Sequence, residues 1–124
     1  MNKNDEMLLD SVKSGDVNSV ILSLNKEANV NIICRGEASA LMHACIKGHL
    51  NIVKILIENG AEINMKTNTS ALICAAGFGY LDIVKYLVDR GADVNLTLDN
   101  GVTALKRAST MGETEVVNYL NNYI

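Results

Sequence analysis

The chain has 124 residues, 48% of them apolar and 20% charged, which suits one ordinary soluble domain with a sizeable core. A net charge of -3 and an isoelectric point near 5.3, with no clustered lysines or arginines, argue against binding the phosphate backbone of DNA or RNA. Cys34, Cys45 and Cys74 are an odd number with no close pair, so a reducing compartment, the cytoplasm, is expected rather than a disulfide framework.

The first ten residues are polar and turn acidic at Asp5 and Glu6, unlike a secretory leader. The longest apolar run, 71–81, contains glycines and falls far short of the ~20 residues of a membrane-spanning helix. Self-similarity comes next: Gly15, Gly48, Gly79 and Gly112 are spaced by 33, 31 and 33 residues. The same spacings relate Leu8, Leu41, Leu72 and Leu105, and also Val20, Val53, Val84 and Val117. Ala28, Ala61 and Ala92 share the phase, as do Asn31, Asn64 and Asn95.

Each unit reads as two short amphipathic helices and a turn. Ser39, Ser70 and Thr103 each precede an Ala-Leu pair, where a hydroxyl can accept from the free N–H groups of a starting helix. The first helix of each unit ends at the glycine column, since glycine reverses the chain at positive φ without a Cβ penalty. The second helix has a 3.6-residue period, as in Leu50, Val53, Ile57 and Leu81, Val84, Val88, and stops at Gly60 or Gly91.

The segments Ser70-Ala71-Leu72, Gly79 to Val88 and Gly91-Ala92-Asp93-Val94-Asn95, with Gly48-His49 and Gly60-Ala61-Glu62-Ile63-Asn64, resemble the ankyrin repeat. The resemblance covers essentially the whole chain and implies an all-α solenoid of four helix-turn-helix units with short β-hairpin fingers. The units would span about 1–33, 34–64, 65–97 and 98–124 of a single domain, a layout similar to myotrophin-like small ankyrin proteins. His49 takes the family's Gly-His position and is expected to serve the turn between helices. The family's proline is Ala40, Ala71 and Ala104 here, and its histidine is Met42, Ile73 and Lys106, so that histidine's bonds to the turn must be lost or replaced. Glu27 stands in the closing glycine column, which puts the first chain reversal in question. Asn64 to Leu72 spans 8 residues against 10 for Asn31 to Leu41 and Asn95 to Leu105, so the second finger should be two residues shorter.

The end units carry polar residues where the others are apolar. Ser19 and Ser23 replace the apolar residues of their columns on one helical face, which is expected to lack a covering repeat. Asn121 and Lys106 make the corresponding exchange at the other end. The first and last units are therefore read as caps of a four-repeat array, the competing reading being a piece of a longer one.

Chemistry has no local signature. His43 and Cys45 lie two apart on a predicted helix and so point to different sides rather than to one metal, and Cys45 reads as a small core residue. No Ser-His-Asp or Cys-His pairing stands out, and the glycines follow the repeat rather than a phosphate loop, so no enzyme activity and no cofactor are expected. The resemblance implies instead a protein partner held by the fingers and the concave face of the first helices. Before the glycine column stand Lys13-Ser14, Ile46-Lys47, Gly77-Phe78 and Thr110-Met111; Ile46, Phe78 and Met111 are expected to align across neighbouring repeats, with Lys47 and Thr110 beside them. Phe78, the sole phenylalanine, is the favoured anchor; the alternative is that helix tilt tucks Phe78 or Met111 against an adjacent repeat as core. The fingers add Arg35, Lys66, Thr67, Thr69, Asp99, Asn100 and Val102, whose charges are as readily solvated as paired. The function expected is that of a monomeric adaptor; the alternatives are a direct inhibitor of an enzyme, similar to the ankyrin-type inhibitors of cyclin-dependent kinases, or a purely structural repeat.

Overall fold

The structure is a computed structural model that describes residues 1–35 and 37–123. Four helix pairs follow one another: α1 (Lys3–Ser14) and α2 (Val17–Asn25), α3 (Ala40–Lys47) and α4 (Leu50–Glu58), α5 (Ala71–Gly77) and α6 (Leu81–Asp89), α7 (Ala104–Thr110) and α8 (Thr114–Asn121). Between the first two pairs β1 (Ile33–Cys34) and β2 (Ala38–Ser39) form an antiparallel hairpin, with Ile33 opposite Ser39 and Cys34 opposite Ala38. The connections between pairs run over 26–39, 59–70 and 90–103, so the second is two residues shorter, as the spacing required. The fold is an all-α ankyrin-type solenoid with short fingers, of which the first alone has a strand ladder among the described residues.

Two compact units divide the chain, Met1–Glu62 and Ile63–Ile124, each holding two helix pairs. In the first, α1 packs on α2 and α3, and α2 on α4; in the second, α5 packs on α6 and α7, and α6 on α8. The valine column is fully buried at Val20, Val53 and Val84, and half-buried at Val117. Leu8, Leu41, Ile52 and Leu56 fill the first unit's core; Ile73, Ile83, Leu87 and Leu120 fill the second's.

Side-chain acceptors cap the starts of α1, α2, α3, α5 and α7. Ser39 accepts from the Met42 amide at 3.1 Å, Ser70 from Ile73 at 3.3 Å and Thr103 from Lys106 at 3.2 Å, each satisfying one of the donors that a starting helix leaves free. Asn2 and Asp16 cap α1 and α2 in the same way. The histidine missing from the family's start is replaced at two of three places. The Met42 sulfur accepts from the Ser39 amide at 3.4 Å, and the Lys106 ammonium donates to the Gly101 carbonyl at 3.1 Å. The hydrocarbon side chain of Ile73 can do neither, and it is buried instead.

Positive φ governs the reversals. Gly15, with φ 80°, also sits under the His49 ring, where an added Cβ would lie 2.9 Å from Cε1. At the close of the first repeat Glu27 adopts φ 66°, so the reversal in question is made without glycine, in the conformation that Gly60 and Gly91 hold in later repeats. A non-glycine residue there costs about 1 to 2 kcal/mol.

The polar end that the sequence pattern assigned to α2 is differently built. Ser23 is fully buried and its hydroxyl donates to the Val20 carbonyl at 2.8 Å; it is not on an uncovered face. A serine with its own i−3 acceptor is satisfied without solvent, so polarity at one column did not determine exposure. Ser19 is half-buried, with its hydroxyl on Asp16 at 2.7 Å. The exposed apolar residues of that helix are Ile21 and Leu22.

Asparagine clamps hold successive turns in register. Asn31 accepts from the Glu62 amide at 2.8 Å and donates to the Gly60 carbonyl at 3.4 Å. Asn64 repeats the pattern with Asp93 at 2.7 Å and Gly91 at 3.1 Å. Asn29 is the residue of the first repeat equivalent to Glu62 and Asp93, and its amide is held at 2.8 Å by the carboxylate of Asp5 on α1. The Asn4 amide nitrogen adds a bond to the Lys26 carbonyl at 3.0 Å. Asp5 and Asn4 thus do within the first repeat what the preceding finger does for the second.

Two substitutions separate conformation from contact. Glu27→Gly should raise unfolding free energy by about 1 kcal/mol in urea titrations, because it relieves a left-handed residue. Gly15→Ala should lower it by roughly 1 to 3 kcal/mol, since strain and the His49 ring act together. Equal and small effects at both positions would contradict this assignment.

Candidate protein-binding surface

The ends of α5 and α7 place two apolar side chains in solvent. Phe78 follows α5 as its C-cap and is 53% exposed; Met111 follows α7 in the same role and is 55% exposed. Both precede the left-handed glycine, Gly79 or Gly112, that turns the chain into the second helix. The Phe78 ring stacks on Tyr80, with centroids 6.2 Å apart and planes at 20°. The small residue before Phe78 has a packing reason: a Cβ on Gly77 would meet the Arg107 side chain at 2.8 Å. Neither Phe78 nor Met111 is tucked away as core.

Ile46 does not belong to their row. Counted from the glycine, Ile46 is equivalent to Gly77 and Thr110, while Lys47 is equivalent to Phe78 and Met111. One residue turns the side chain by about 100° around a helix, and Ile46 is accordingly half-buried while Lys47 is exposed. The equivalent positions of the repeat are Lys47, Phe78 and Met111. Thr110 is exposed, with its hydroxyl bonded back to the Lys106 carbonyl at 2.9 Å.

The finger residues divide between solvent and self-support. Lys66 and Asp99 are exposed and pair at 3.6 Å, and the Lys66 ammonium also donates to the Thr97 carbonyl at 3.2 Å. Such an exposed pair contributes less than about 1 kcal/mol and remains available to a partner. Asn100 accepts from the Val102 amide at 3.2 Å, and Val102 accepts from Leu98 at 2.9 Å, so both shape the third finger's turn. Thr67 and Thr69 close the second turn, the Thr67 amide donating to the Thr69 carbonyl at 3.0 Å. The Thr69 hydroxyl lies 3.5 Å from the Cys74 sulfur, whose buried thiol has its pKa pushed up by desolvation. Arg35 is exposed at φ 54° in the first hairpin's turn.

The spacing of His43 and Cys45 argues against a shared metal, and the structure gives His43 a particular setting. Its ring is half-buried on α3 and its Nε2 has no hydrogen-bond partner. Burial, then the charges of Lys13 and Lys47, hold its pKa below the ordinary histidine value. The ring shares a cavity with Lys13 and Arg35, a gathering that sequence spacing does not show. Cys45, two residues on, is fully buried. Among the described residues no three His, Cys, Asp or Glu side chains are grouped to hold a metal ion, and no helix is long and apolar enough to cross a membrane.

A histidine whose folded pKa is depressed binds fewer protons in the native than in the unfolded chain. Its effect on stability is therefore absent above the unfolded pKa of about 6.5 and becomes unfavourable as pH falls below it. Unfolding free energy measured between pH 7 and pH 5 should decline less steeply in His43→Gln than in the parent. Parallel curves would count against this environment for His43.

A family model described as ankyrin repeats in three copies matches residues 8–98 and, in a second stretch, 65–123. No curated protein matches the chain. Ankyrin repeats are generally protein–protein interaction modules and typically not enzymes. The matched stretches, the four helix pairs and the recurring left-handed glycines agree: this chain belongs to the ankyrin-repeat family.

Proposed function

We propose that this chain is an adaptor that binds a partner protein through its fingers and the ends of its first helices, with Phe78 and Met111 as the apolar anchors. The observation that carries the reading is the exposure of both side chains at equivalent positions of consecutive repeats. Large apolar side chains left in solvent gain free energy when a partner covers them, by about 1.5 to 3 kcal/mol for a fully buried one. The core is filled by their neighbours along the helix, Ala75 and Ala76 before Phe78 and Ala108 before Met111, and the ring contact of Phe78 is with Tyr80. The exposed Lys66–Asp99 pair, in the same unit as both anchors, would add a polar contact that sets orientation and on-rate more than affinity. The proposed binder acts as a monomer in the cytoplasm, where its three free thiols persist.

Phe78→Ala combined with Met111→Ala should leave the thermal unfolding midpoint nearly unchanged and weaken the partner's binding by tenfold or more, in the range of about 1.4 kcal/mol and above. The check is quantitative mass spectrometry of proteins retained from lysate by the parent, by this variant and by Ile21→Ala as an exposed apolar control. Identical retention by all three would remove Phe78 and Met111 from the interface.

A further inference from the structure

We propose that the cavity between the first finger and helices α1 and α3 is a seat for a glutamate side chain presented by an acidic peptide segment of the partner. The proposal rests on the reading of the chain as a protein binder but concerns a different place in it. The cavity holds about 340 Å³ and is lined by Lys13, Cys34, Arg35, Glu37, Ala38 and His43. Two permanent cations, an imidazole and one carboxylate line it, on a chain whose net charge is -3. Positive charge is concentrated locally against the overall balance, which favours an anionic ligand and speeds its approach.

His43 gives the second reason. A polar atom shut from solvent without a partner is uncommon in folded proteins, and Nε2 of His43 is one. The charges acting on this ring are Lys13 from α1 and Lys47 from α3 itself, while Arg35 and Glu37, on either side of the first hairpin's turn, line the same cavity. Burial first, and then the two lysines, disfavour its protonation; an anion entering the cavity would offset the charge of Lys13, the one of the two that lines it. Cys34 and Ala38 supply a less polar wall for the methylenes of glutamate, which a small inorganic anion lacks. Glu37 lines the same cavity and its negative charge opposes an entering anion, so its removal should help the ligand.

The test is a titration of the parent chain with a short poly-glutamate peptide at low ionic strength, following the His43 ring and the backbone amides by NMR. Saturable shifts at His43, Ala38 and Lys13 are expected, with none from poly-glutamine. Lys13→Gln or Arg35→Gln should each weaken binding by roughly threefold, and Glu37→Gln should strengthen it by a similar factor. Inorganic phosphate should bind more weakly than the peptide. Phosphate binding as tightly as the peptide, or poly-glutamate affinity indifferent to all three substitutions, would overturn the assignment. The Phe78→Ala, Met111→Ala chain should still bind poly-glutamate, so a failure at this cavity is separable from a failure of the apolar anchors.

Discussion

A pair of helices seven to twelve residues long cannot hide its own apolar side. Each pair must be covered by a neighbour, and within both units of this chain that is what the contacts provide: α1 against α3 and α2 against α4, α5 against α7 and α6 against α8. The buried valines and leucines supply the driving force, but apolar contact alone is indifferent to small slips along the stack. The asparagine clamps remove that freedom, because one carboxamide must reach an amide and a carbonyl of the next turn at once. Asp5 extends the device to the first repeat by another route, from a helix rather than from a finger.

This division of labour leaves a surface free of structural duty. The glycines, the capping hydroxyls and the clamps absorb the recurring positions, and what varies between repeats lies at the helix ends and the finger tips. Phe78, Met111 and Lys47 share one position of the repeat and differ in chemistry. The first unit offers charge at that place and the second unit offers apolar area.

Much of the architecture was legible because it is periodic. The glycine, leucine and valine columns, the three hydroxyl caps and the shortened second connection all have local causes, and a local cause leaves its mark in spacing. Exposure of Phe78 and Met111 was readable for the same reason, from their position beside a left-handed glycine. The misplacement of Ile46 came from treating two adjacent positions as one row, although a single residue moves a side chain a quarter turn around the helix. Ser23 misled because a hydroxyl can satisfy itself on its own helix and so tolerate burial. The clamps, the Asp5 bond to a residue 24 positions away and the gathering of Lys13, Arg35 and His43 are tertiary facts, set by how turns approach one another. The asparagine column was visible, yet nothing in its spacing says what an asparagine is for.

Native-state hydrogen exchange in the first unit tests mutual shielding most directly. The amides of Val20 and Val53 are both bonded in helices, to the carbonyls of Asp16 and His49, and both side chains are fully buried. If each helix pair holds only because the other covers it, the two amides should open with the same free energy and respond equally to low denaturant. Val20 remaining protected at denaturant concentrations where Val53 exchanges freely would show that the first pair stands alone, and the account of the stack would fail.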